Sequence, residues 1–171
     1  MRGFLATAGA VVAAVAIGLV TPPASAVGVI GHRPHLEQGS VQIRKFDQRL
    51  LVRANHARSR HDVTPLQMNN KLWKIAHAWA QHMARTGTLQ HNPRLQTKIS
   101  RKCPRWHHFG ENVAYTLNRG NKRMFRAYMH SPGHRANILD HHFHQVGIAT
   151  VKVVHHHDVK EWNVMDFADR C

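Results

Sequence analysis

Three short stretches each set a titratable or metal-capable side chain beside a rigid turn. They are Leu89-Gln90-His91-Asn92-Pro93, Gly110-Glu111-Asn112-Val113-Ala114, and Met129 to Leu139, which contains Ser131-Pro132-Gly133-His134. Two neutral imidazoles, where a fold brings them to one site, can hold Zn²⁺ or a similar borderline ion, with water in the open positions. Glu111 could then orient that water or accept an imidazole proton from beside the ion. Without an ion, the same groups make a hydrogen-bonded polar core that ties helix to sheet. Ser131 invites a nucleophile reading, with His134 as base and Glu111 as orienter. The competing reading is a serine that caps the Pro-Gly turn and the short helix after it, because no strand-to-helix nucleophile elbow surrounds it.

Other histidines compete for any metal. His155-His156-His157, next to Asp158, is either an exposed chelator of Zn²⁺, Cu²⁺ or Ni²⁺ or a solvated loop. His107 and His108 precede the Gly-Glu-Asn box and could line the mouth of any cavity that Glu111 faces, while His141, His142 and His144 follow the third stretch. His77 and His82 fall on the outer face of a helix.

The elements that must position these groups follow from apolar spacing. Phe46, Leu50, Ala54 and Ala57 mark a first helix ending near Arg60, which Thr64-Pro65 breaks. Asn69 or Asn70 can cap a second helix with Leu72, Ile75, Ala76, Trp79 and Met83 inward, and Gly87 stops it. A third helix is expected from about Lys122 to Met129. The period then changes: Val146 to Val154 and Glu161 to Phe167 alternate and are rich in β-branched residues, so they read as a hairpin with His155 to Asp158 at its tip. Helices first and strands later give an α+β domain, with helices covering an antiparallel sheet. Trp79, Trp106 and Trp162 are assigned to the core.

Arg2, the apolar run Phe4 to Val20, Pro22-Pro23 and Ala24-Ser25-Ala26 read as a cleaved signal peptide over 1–26. The run is near the lower limit for a membrane span, and no later segment is long and apolar enough for one. A linker is expected over 27–45 and one domain over 46–171, secreted to the extracellular side. Export favours joining Cys103 to Cys171, the only cysteines. Closing a ring of about 69 residues is worth roughly 4 kcal/mol at most.

Composition bounds the partners. The 171 residues carry a net charge of +15 with every histidine neutral, and 17 histidines add to that in acid. Such a surface suits anionic extracellular polymers. Lys98, Arg101, Lys102 and Arg105 cluster in one expected loop, and Arg119, Lys122, Arg123 and Arg126 cluster near the third helix. Neither cluster carries a nucleic-acid recognition motif, so no specific nucleic acid is expected.

Together and in this order, the three stretches resemble the CAP superfamily, also called SCP-like. It contains the cysteine-rich secretory, antigen 5 and pathogenesis-related proteins, and the likeness is to its single-domain bacterial secreted branch. Asn55-His56-Ala57-Arg58, Pro65-Leu66, Val146-Gly147-Ile148-Ala149 and the Trp162 strand fit as well, so the resemblance runs from about Phe46 to Cys171. It implies an α-β-α sandwich with the sheet between helical layers. It also implies a cavity of His91, Glu111 and His134, with Ser131 where a second acid is usual, three residues after Tyr128. One carboxylate fewer counts against acid/base catalysis. The expected function is a non-enzymatic extracellular binding module whose cavity takes Zn²⁺ or another divalent cation, through His91 and His134, or a small ligand. The alternatives are a metal-dependent hydrolase or peptidase in which Glu111 activates a metal-bound water, and a basic adhesin for anionic envelope polymers or glycans.

Overall fold

The structure, a computed structural model, describes residues 41–171. The expected signal peptide and most of the expected linker lie outside the described residues. Helix α1 (Val41–Ser59) starts before Phe46, the first residue at which apolar spacing becomes readable, and buries Phe46, Leu50, Ala54 and Ala57. The short strand β1 (Gln67–Met68) leads into α2 (Asn70–Thr86). Asn69 caps α2, its Oδ1 accepting from Lys71 N at 2.8 Å and Leu72 N at 3.2 Å. Gly87 ends it at φ +69°, where its N–H donates to Met83 O. The buried face of α2 is Leu72, Ile75, Ala76, Ala80 and Met83.

The next elements are α3 (Leu95–Lys102), β2 (Phe109–Leu117), α4 (Gly120–His130), α5 (Pro132–Leu139), β3 (Gln145–His155) and β4 (Asp158–Ala168). The sheet order is β1-β3-β4-β2, with β3 and β2 antiparallel to β4 and the stub β1 parallel to β3. Alternation divides the sheet. Val113, Ala149, Val151, Trp162 and Val164 pack under α2, whereas Val146, Ile148, Met165 and Phe167 pack against α1, α4 and α5. This is an α-β-α sandwich. At Gly147 a Cβ would run into the backbone of Leu72 and Trp73, so the absent side chain is what lets the start of α2 lie directly on β3.

Several elements differ from the sequence reading. The expected basic loop around Lys98 and Arg101 is α3, held by only two buried positions, Leu95 and Ile99, too few to show a period. Strand β2 is not among the expected elements, because Glu111 and Asn112 put polar side chains on both of its faces. Trp162 is fully buried, but Trp79 and Trp106 are only partly covered, and their indole N–H groups donate to Gln90 O and Ser100 Oγ. Cys103 and Cys171 are joined, tying the end of α3 to the segment after β4 beside Leu72, Ile75 and Ala168.

Candidate functional site

His91 stands in the connection after α2, Glu111 on edge strand β2, and Ser131 and His134 at the junction of α4 and α5. The Gly-Glu-Asn box works as three separate fittings. Gly110 leaves room for the Phe143 ring and Asn137. Glu111 points to the α2 side, where Oε1 meets His91 Nδ1 at 2.7 Å and accepts from Asn92 N at 2.9 Å. Asn112 points to the other side; its Nδ2 donates to His134 O at 3.0 Å and its Oδ1 accepts from Asn137 Nδ2 at 2.9 Å, which clamps α5 onto β2. Pro93 follows Asn92, whose Oδ1 accepts from Arg94 N and so closes the turn that holds His91 in place.

Glu111 fixes the His91 tautomer. With the Nδ1 hydrogen donated to Glu111, the neutral ring keeps its lone pair at Nε2. That Nε2 is buried and has no partner, as is Nε2 of His134. Burial, helped by the nearby His91, pulls the His134 pKa down to about 4, so this ring is neutral at physiological pH. Its ring lies edge-on to Tyr128, with centroids 5.1 Å apart. Burial, with Glu111 and Asp47 adding to it, pushes the Tyr128 hydroxyl well up, so it stays a phenol and donates to Asn163 Oδ1 at 2.7 Å. Asn163 Nδ2 donates to Thr150 Oγ1 at 2.8 Å, and Thr150 donates to Asp47 Oδ1 at 2.6 Å. A buried polar chain therefore runs from α1 across one face of the sheet to Tyr128, which backs His134.

Asp166 completes the group, and no sequence motif marks it. It faces Glu111 across the β2–β4 ladder and is fully buried. Burial drives its carboxyl well above the usual range, Glu111 drives it the same way, and Lys98 pulls back. Both Asp166 oxygens and Glu111 Oε2 lack a donor; a proton retained on Asp166 supplies one between the two carboxyl groups. The signal that could have found it is the strand pattern: Asp166 continues the inward alternation Trp162, Val164.

The Ser131 arrangement is different from either reading of the sequence. Ser131 occupies the N-cap position of α5, but its side chain makes no capping bond, and its buried Oγ has no partner. Glu111 pairs with His91 rather than His134, so no Ser131–His134–Glu111 relay is assembled.

The sequence model described as CAP, cysteine-rich secretory protein family, matches residues 51–167. The chain belongs to the CAP family. Three solved structures share the CAP fold seen here. An outer surface protein from Borrelia burgdorferi superposes with a TM-score of 0.68 at 17% identity, over 81% of this chain and 100% of that one. An extracellular protein containing a SCP domain from Bacillus anthracis str. Ames gives 0.61 at 21% identity, over 73% of this chain and 40% of that one. A cysteine-rich secretory protein from Staphylococcus aureus subsp. aureus Mu50 gives 0.60 at 18% identity, over 77% and 41%. The chain thus spans about two fifths of the last two proteins. No curated protein matches it in sequence.

His91, Glu111 and His134, the cavity residues that the resemblance implies, include two buried imidazole nitrogens without partners, Nε2 of His91 and Nε2 of His134. Among the described residues, the cavity does not assemble three His, Cys, Asp or Glu donors within 4.8 Å of one another; that occurs only at Asp140, His141 and His142. No helix among the described residues is long and apolar enough to cross a membrane.

Proposed function

We propose that this CAP protein is secreted and acts as a non-enzymatic extracellular binding module, its cavity taking a divalent cation or small ligand on His91 and His134. The observation that carries this reading is the pair of buried Nε2 atoms without partners, one on each ring. Leaving a buried polar atom unpaired costs about 1–3 kcal/mol, and a bound ligand recovers that cost. A resident ion would supply a fixed positive charge there. Glu111 would set the His91 tautomer by accepting at Nδ1, and Asn112 would hold the His134 backbone. Secretion is supported by the sequence of 1–26 and by the outer-surface and extracellular descriptions of the structural neighbours.

The hydrolase alternative needs Glu111 as a general base, yet Oε1 is committed to His91 and Asn92 and Oε2 is turned toward Asp166. Adhesion to anionic envelope polymers or glycans has its own support, in the +15 charge and a cleft of about 420 Å³ lined by Lys45, Arg49 and Lys152 beside Glu161. Binding of that kind weakens steeply with salt and ignores the cavity.

The test is a calorimetric Zn²⁺ titration near pH 7.5, with His141, His142, His155, His156 and His157 replaced throughout. A step present in that background and absent after His91→Ala/His134→Ala supports the cavity. An identical titration in folded protein overturns the cation reading. His91→Ala alone, at a ring 27% exposed, guards against a folding failure of the double variant.

A further inference from the structure

A second set of donors lies outside the cavity, on the loop after α5. One donor atom each from Asp140, His141 and His142 lies within 4.8 Å of the other two. Donors around a tetrahedral ion at about 2.1 Å stand roughly 3.4 Å apart, so rotation of exposed side chains closes the gap.

The backbone beneath this loop is fixed. Arg58, fully buried, reaches up from α1 and donates through Nη1 to Ile138 O and Asp140 O, both at 2.9 Å, and through Nη2 to Phe143 O at 2.7 Å. Asp140 Oδ1 accepts from His142 N at 2.9 Å and lies 2.8 Å from His142 Nδ1. Asp140 and His142 Nδ1 thus already face each other across one proton, which an ion held by both would displace. The His141 and His142 rings are 3.9 Å apart, and His108 stacks on His142 at 4.6 Å. The opposite wall is fixed too, since Asp169 Oδ1 accepts from the backbone N–H groups of His107 and His108. Between the walls lies a groove of about 450 Å³.

We infer that Asp140, His141 and His142 form a surface site for a borderline divalent cation, separate from the cavity, with the groove of His107, His108 and His144 over its open positions. Two imidazoles and one carboxylate are the donor set of several open zinc sites, and the same set takes Cu²⁺ more tightly than Zn²⁺. The two histidines are exposed, so their side chains are open to an ion from solvent.

The experiment is a Zn²⁺ titration of the oxidised protein by calorimetry, repeated with Cu²⁺, in a background with His155, His156 and His157 replaced by Ser. The expected result is a one-equivalent step that survives His91→Ala, disappears in His141→Ala/His142→Ala, and weakens at least tenfold in Asp140→Asn. In the His91→Ala protein, a step that survives His141→Ala/His142→Ala overturns the inference, and so does the lack of any step beyond one lost with His91→Ala. Because the two sites are removed by different variants, failure here leaves the cavity reading intact, and the converse holds.

Discussion

Asp47 offers a quantitative test of the buried polar chain that backs the site. Its carboxyl accepts from Thr150 Oγ1 at 2.6 Å, and the residue is 4% exposed. Burial raises its pKa from 3.8 to about 7, against the opposing pull of the Thr150 hydrogen bonds and Lys152. The folded protein therefore holds a proton that the unfolded chain has released, so stability falls as pH rises from about 4 to about 7 and levels off beyond. The full shift corresponds to about 4 kcal/mol, of which about 2.5 kcal/mol lies between pH 5 and pH 8. Asp47→Asn removes the titration and keeps an oxygen for Thr150. Its stability relative to wild type should rise by about 2.5 kcal/mol from pH 5 to pH 8. Urea unfolding of both oxidised proteins at the two pH values measures this, and the comparison cancels the titration of the histidines. Parallel pH profiles would refute the reasoning, since they would mean that Asp47 is solvated as a carboxylate in the fold.

Three further outcomes follow from the packing. Gly147→Ala should cost about 3 kcal/mol or more in urea unfolding, because the new Cβ meets α2 backbone rather than a flexible side chain. Arg58→Met should cost about 4 kcal/mol, through the orphaned carbonyls of Thr64, Ile138, Asp140 and Phe143, and should disorder the loop bearing His141 and His142, read as faster amide exchange there. Cys103→Ser/Cys171→Ser should lose no more than about 4 kcal/mol, with fraying concentrated after Ala168, followed by the same two methods.

Legibility in the sequence tracks how many apolar positions each element buries. Helix α2 and the β3–β4 hairpin carry long periodic faces and are readable within a few residues. Helix α3 buries only Leu95 and Ile99, and β2 has Glu111 and Asn112 near its start, so neither shows a period. The motifs locate His91, Glu111 and His134, and the structure joins His91 to Glu111 directly. Asp166 escapes because it reads as one residue of a core strand, although its inward position beside Glu111 follows from alternation once β2 is known to pair with β4. The burial of Arg58 escapes for a related reason: as one of several charged residues on α1 it reads as surface, and only the fold supplies the carbonyls that surround it.

The most direct test of the cavity is the nitrogen NMR spectrum of the His91 and His134 imidazoles at pH 7. A cation-binding cavity requires a proton on His91 Nδ1, a neutral His134 ring, and Nε2 resonances of both rings that move when Zn²⁺ is added. A proton on His91 Nε2, a charged His134, or Nε2 signals indifferent to Zn²⁺ would contradict it.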